Sequence, residues 1–242
     1  MTPAPTLLYE ACEATWPPAH RFEHGPFLLR DGAGGGKRVS AATLRDGALW
    51  DTGALAAAEA EMRAREQAPL FMIRDGEEAF DAGLDAAGYS VIDPVNMYVI
   101  DPAQLTDRPI PRVTTFTIWE PLAIMRDIWA EGGIGPARID VMHRVRGPKT
   151  GILGRIDDQP AATAFVAMHE GIAMLHALEV RERHRRKGLA DWVMRAAAVW
   201  AAEQGAAHLA VLCVKENTAA NGLYNSLGFA PAGTYHYRIR KD

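Results

Sequence analysis

Cysteine is scarce: Cys12 and Cys213 are the two thiols in 242 residues. Two cysteines so far apart offer neither a disulfide framework nor a zinc cluster. Reduced thiols suit a cytoplasmic protein. Long apolar runs are missing too; none reaches the ~18 residues of a membrane span. The first residues lack the basic start and apolar core of a signal peptide. Net charge is small, −4 at pH 7, which argues against a general nucleic-acid binder. His176, His184, His208 and Cys213 have no metal-site spacing, so no metal is expected. What remains is an ordinary globular composition, 48% hydrophobic and 23% charged.

Apolar periodicity and turn residues divide the chain in two. In the first half, Asp31-Gly-Ala-Gly-Gly-Gly is a turn that no regular element tolerates, and it predicts a hairpin with strands near 26–30 and 37–41. Alanine-rich Leu55 to Gln67 predicts a helix stopped at Pro69, and Leu70 to Ile73 a short strand. Glu77 to Ala87 predicts a helix closed by Gly88, and Val95 to Ile100 a strand. Asp101 to Pro111 holds three prolines and little apolar pattern, and reads as a linker. Residues 112–242 then have a common domain size. Their patterns run strand, two helices, three strands, helix, strand, helix, strand.

The most informative stretch is Leu178 to Ala190, where a strand gives way to a basic, glycine-containing turn and then to an amphipathic helix from Leu189. N–H groups at a helix start lack intrahelical partners and carry the positive end of the dipole. Gly188 allows close approach of a ligand to the backbone. Such a cradle suits a phosphate group. Read alone, the basic run Arg181 to Lys187 would equally serve as a solvated face or a nucleic-acid patch.

A second motif narrows the reading. Arg185-Arg186-Lys187-Gly188-Leu189-Ala190 follows Val180, and Val214-Lys215-Glu216-Asn217 is followed by Leu223-Tyr224 and Leu227-Gly228-Phe229. Together they resemble R/Q-x-x-G-x-G/A and V-x-x-x-N…L-Y-x-x-L-G-F of the GNAT superfamily of acyl-CoA-dependent N-acyltransferases. The resemblance covers residues 112–242. It implies an α/β (α+β) fold with a mixed, mostly antiparallel central sheet flanked by helices. Gly83 to Tyr89 echoes Leu223 to Phe229, with Leu84 where Tyr224 stands. The chain is therefore read as two tandem GNAT-like halves: a degenerate or accessory domain over 1–100, a linker over 101–111 and a catalytic domain over 112–242. An unrelated α/β segment stays open for the first half.

The resemblance also implies roles. Acetyl-CoA would be co-substrate, with its thioester carbonyl on the Val180 N–H and its pantetheine arm along Leu178, Val180 and Asn217. Its pyrophosphate would lie on Arg185, Arg186, Lys187, Gly188, Leu189 and Ala190. Asn217 also reads as a helix N-cap. Tyr224 would be the general acid, since a phenol of pKa about 10 can protonate a leaving thiolate. For the base, simple alternation puts Met174, His176, Leu178 and Val180 on one face and Glu179 on the other. That ranks His176 above Glu179, unless a bulge flips the faces. Where some bacterial relatives have an acceptor-holding glutamate, this chain has Cys213, read as a buried small hydrophobe. The acceptor, a small-molecule amine or a peptide, would sit near Trp119 to Met142 and Tyr235 to Arg240, with Trp129, Ile134 and Glu131 as candidate lining. A non-catalytic acyl-CoA-binding or regulatory module is the alternative. No nucleic-acid or membrane partner is expected, and homodimerisation is left open.

Overall fold

The computed structural model describes residues 2–240. The first half carries α1 (Pro5–Thr15), β1 (His20–His24), β2 (Phe27–Asp31), α2 (Lys37–Ser40), β3 (Thr43–Leu44), α3 (Thr52–Ala64), β4 (Leu70–Arg74), α4 (Glu78–Ala86) and β5 (Ser90–Ile100). The second carries β6 (Thr115–Ile118), α5 (Ala123–Glu131), α6 (Pro136–Arg144), β7 (Lys149–Ile156), β8 (Gln159–His169), β9 (Ile172–Val180), α7 (Leu189–Glu203), β10 (His208–Val214), α8 (Thr218–Ser226) and β11 (Ala230–Ile239). The predicted order of the second half is the observed one.

Two local readings change. The hairpin near the glycine run is β1 with β2, and residues 37–40 form a helical turn instead of a strand. Residues 101–111, expected as a linker, include a 3-10 helix, Pro102–Leu105, whose Leu105 is buried in the core against α7. Arg195 of α7 fastens this segment by donating to the Leu105 carbonyl. The prolines there specify a docked turn because an apolar side chain and a buried guanidinium hold it.

The chain forms two compact units, whose limits differ from the expected 1–100 and 112–242. The larger unit holds residues up to Pro17, Met97–Cys213 and Asn217–Ala232; the smaller holds Pro18–Asn96, Val214–Glu216 and the C-terminal strand. The reason is an exchange of last strands. In the larger unit the neighbour of β10 is β5, which the first half supplies. In the smaller unit the neighbour of β4 is β11, which the second half supplies, with Tyr237 opposite Met72.

The larger unit orders its sheet β5-β10-β9-β8-β7-β6. Strands β6 to β9 pair antiparallel, and β9 pairs in parallel with β10. The apolar stripe of α7 covers one face: Leu189, Val193, Ala197 and Ala201 pack with Val166, Leu175 and Val211. Fully burying such a side chain contributes roughly 1.5–3 kcal/mol. Phe165 and His176 alternate with Val166 and Leu175, so they face the opposite layer, where Trp16 and Trp119 meet Phe165.

The smaller unit orders its strands β1-β2-β3 and β4-β11-β5. Its core is aromatic, with Phe71 and Phe80 edge to face at 5.7 Å between centroids. A buried carboxylate, Glu59, accepts from Tyr89 at 2.7 Å and pairs with Arg63 and Arg240. Those bonds offset the burial that opposes its ionisation and hold its pKa below the usual carboxylate range.

Candidate active site

One irregular residue decides the geometry of β9. The register against β8 runs Phe165 opposite His176 and then Thr163 opposite Glu179, so β9 carries one extra residue. It is a β-bulge at Ala177, whose φ is +52°. Trp129 Nε1 donates to the Ala177 carbonyl at 2.8 Å and holds the bulge. Phe165 and Thr163 share a face, so His176 and Glu179 share it too. Val180, opposite Ala162, faces the α7 core together with Leu178. The simple alternation that set Glu179 apart from His176, and put His176 with Val180, is therefore corrected. A non-glycine residue at positive φ gave no signal in the sequence.

Strands β9 and β10 pair only from Ile172 and His208 to Leu175 and Val211. Beyond that point they diverge. The Arg181 N–H bonds the Ala161 carbonyl on the β8 side at 2.8 Å. Alternation then turns the Val180 N–H away from β8, toward the opening. At the end of the opening α7 begins on Gly188, at φ 80° and ψ 0°, with no side-chain cap. A Cβ built at Gly188 would have nothing within 4 Å. The helix start is therefore open, and its first N–H groups lack intrahelical partners.

The flanking cations behave differently from one another. Arg185 stays exposed and folds back on β9: its Nε donates to the Val180 carbonyl at 2.9 Å and its Nη2 meets Glu179 at 3.0 Å. Lys187 pairs with Asp157 at 2.9 Å, and this bond holds the Asp157 carboxyl below its usual pKa. Arg186 is exposed, in the left-handed region at φ 63°. Leu189 is buried under the helix and Ala190 is partly buried.

Tyr224 stands on α8 and is buried, its ring between Phe229 at 5.7 Å and Tyr98 at 6.0 Å. Burial, then the neighbouring Cys213, pushes its pKa well above that of a free phenol. Burial likewise raises the Cys213 thiol. Asn217 caps α8, its Oδ1 accepting from the Ala220 N–H at 3.0 Å. Its side-chain oxygen is thus committed within the helix.

His176 is 4% exposed and lies beneath α1. Its ring is 5.1 Å from Trp16, and its Nε2 is 2.9 Å from Thr15 Oγ1. The Thr15 hydroxyl already donates its one proton to the Ala11 carbonyl at 2.7 Å. His176 Nε2 must then carry the hydrogen in that pair. Glu179 is more accessible, and its carboxylate lies over Gly132 at the end of α5. A Cβ at Gly132 would come within 2.4 Å of Glu179 Oε2. No local signal points to Thr15, Trp16 or Gly132 in this role, because each acts through a distant partner.

Among the expected acceptor-lining residues, Trp129 is fully buried, and Ile134 is nearly so. Glu131 pairs with Arg181 at 2.7 Å. Tyr235 to Ile239 pair with β4 in the smaller unit. Among the described residues no group of three or more His, Cys, Asp or Glu could hold a metal ion, and no helix is long and apolar enough to cross a membrane.

Known proteins resemble this arrangement. The sequence model of the Acetyltransferase (GNAT) family matches residues 120–229. A relative named "Uncharacterized N-acetyltransferase YobR", from Bacillus subtilis (strain 168), is 37% identical over 86 residues. That match spans 35% of this chain and 35% of the relative's length. The fold is similar to a GCN5-related N-acetyltransferase from Kribbella flavida, with TM-score 0.73, 18% identity and coverage of 98% of this chain and 96% of that one. It is also similar to a tandem GNAT protein from the clavulanic acid biosynthesis pathway, with TM-score 0.61, 16% identity and coverage of 88% and 77%. With the diverging β9 and β10, the glycine-led α7 and the family match in agreement, the chain carries an acetyltransferase domain of the GNAT family over residues 120–229.

Proposed function

We propose that the larger unit moves an acetyl group from acetyl-CoA to a primary amine of a small molecule or peptide, by direct transfer in a ternary complex. The observation that carries this reading is the uncapped, glycine-led start of α7 at the mouth of the diverging strands. That start fits a pyrophosphate: an open left-handed glycine, unpartnered N–H groups and nearby cations. Leu178 and Val180 would bond the pantetheine arm, and the Val180 N–H would polarise the thioester carbonyl.

The chemistry follows from the bulge. Glu179 takes the base role, because it is more accessible than His176 and lies on the same face. It removes a proton from the acceptor ammonium. The neutral amine nitrogen then attacks the thioester carbon, forming C–N as C–S breaks; the surplus proton on that nitrogen leaves through water and restores the Tyr224 phenol once the phenol has protonated the sulfur. Tyr224 is kept protonated by burial and donates to the departing sulfur. His176, bonded to Thr15 and packed on Trp16, holds the bulged strand against α1.

The test is release of free CoA from acetyl-CoA with a panel of amines and peptides. Tyr224→Phe should lower kcat about 100-fold and leave acetyl-CoA affinity nearly unchanged. Wild-type turnover in that variant would remove Tyr224 from the mechanism. Tight acetyl-CoA binding with no acceptor turned over would favour a binding module instead.

A further inference from the structure

Tyr98 lies outside the family-matched segment, on the strand that the first half lends to the larger unit. It is 6% exposed and belongs to the same buried cluster as Tyr224 and Cys213. Its hydroxyl donates to Asn221 Oδ1 at 2.8 Å. Asn221 Nδ2 in turn donates to the Asn217 carbonyl at 2.8 Å, and Asn217 caps α8. Asn221 and Tyr224 are three residues apart on that helix, hence on one side of it.

We infer that Tyr98 is a positioning residue for Tyr224, supplied to the active site by the first half of the chain. The inference rests on the acetyl-transfer reading for its consequence in rate, but its geometry stands apart from it. The hydrogen bond fixes the first turns of α8, and the phenol ring at 6.0 Å walls one side of Tyr224. Together they set where the Tyr224 hydroxyl points. This gives the first half a part in catalysis without any ligand of its own. A small error in aim matters, because proton donation needs hydrogen-bond reach to the sulfur.

The test compares Tyr98→Phe, Tyr224→Phe and the double variant in the full chain. Tyr98→Phe keeps the ring and removes only the hydroxyl. It should lower kcat about tenfold, the scale of one lost hydrogen bond, with KM for acetyl-CoA within about twofold. In the Tyr224→Phe background the same change should cost no further rate, because Tyr98 acts through Tyr224. Losses that simply multiply would overturn the inference, as would wild-type kcat in Tyr98→Phe. Amide hydrogen exchange supplies a readout that needs no reaction: residues 220–227 should lose protection in Tyr98→Phe while α7 keeps it. If wild-type protein turns over no acceptor, the acetyl-transfer reading fails and exchange alone decides. Unaltered protection of α8 then overturns the positioning role, and selective loss sustains it.

Discussion

The two halves of the chain each build a strand, a helix, a left-handed glycine and an aromatic, and then diverge in what surrounds them. In the first half α4 ends at Gly88, φ 84°, and the Tyr89 N–H bonds the Leu84 carbonyl at 3.0 Å. In the second α8 ends at Gly228, φ 85°, and the Phe229 N–H bonds the Tyr224 carbonyl at 3.0 Å. The backbone is the same device; the side chain is Leu84 in one and Tyr224 in the other. The preceding helices differ in the same sense. Helix α3 is capped by Asp51, whose carboxylate accepts from the Ala54 N–H at 2.8 Å. Helix α7 starts on Gly188 with no side-chain cap. An anion at the start of α3 would meet a carboxylate already in place, whereas α7 leaves that position open beside cations. Trp50 also fills space over Gly83, where a Cβ would lie 2.2 Å from its ring. The comparison teaches that an open helix start is made as much by what is withheld as by what is added.

Breaking the open helix start should give the largest effect. Gly188→Trp would fill the cradle and force a bulky residue into the left-handed region, so acetyl-CoA affinity should fall by about 100-fold or more. Isothermal calorimetry showing normal affinity would sink the assignment. Next comes Glu179, the proposed base. Gly132 is the residue over which the Glu179 carboxylate lies, at an ordinary φ of −87°. Gly132→Ala should displace that flexible side chain and lower kcat about tenfold, while Tm stays nearly unchanged. Unchanged kcat at all pH values would argue against Glu179. Asp51→Ala should cost about 1 kcal/mol of stability through the lost cap and leave acetyl-CoA binding alone, measured by denaturant unfolding and calorimetry. A loss of binding there would show that the first half does hold ligand.

The smallest effect is a pH dependence confined to the smaller unit's ion pairs. Asp81 accepts from Arg238 at 2.7 Å and from His236 at 2.8 Å, and its carboxyl is held below its usual pKa, first by Arg238. A depressed folded-state pKa stabilises the fold above the unfolded value of about 3.9. That contribution is lost as pH falls through the lower folded value. Asp81→Asn should therefore flatten the acid limb of the unfolding curve. An acid limb identical to wild type would remove Asp81 from it.

Much of this was legible in the chain. The order of elements in the second half followed from apolar spacing, and the Arg185–Ala190 and Asn217–Phe229 motifs located the helix start and the buried tyrosine. Helix α1 was missed because its apolar residues, Leu7, Leu8, Ala11 and Cys12, are few and follow prolines. The docking of residues 101–111 was missed because its anchor, Arg195, lies far along the chain.

The sequence by itself determined most of the local pieces: the order of elements in the second half, the helix that begins after Gly188 and the glycine that closes α8. These are short-range properties, set by propensity, capping and periodicity. Only the tertiary structure decided which face Glu179 shares, because the bulge at Ala177 is imposed by pairing with β8 and by Trp129. It alone decided that β5 and β11 exchange places, since a strand's neighbour is chosen by long-range pairing that local sequence does not encode. That exchange brings Tyr98 beside Tyr224.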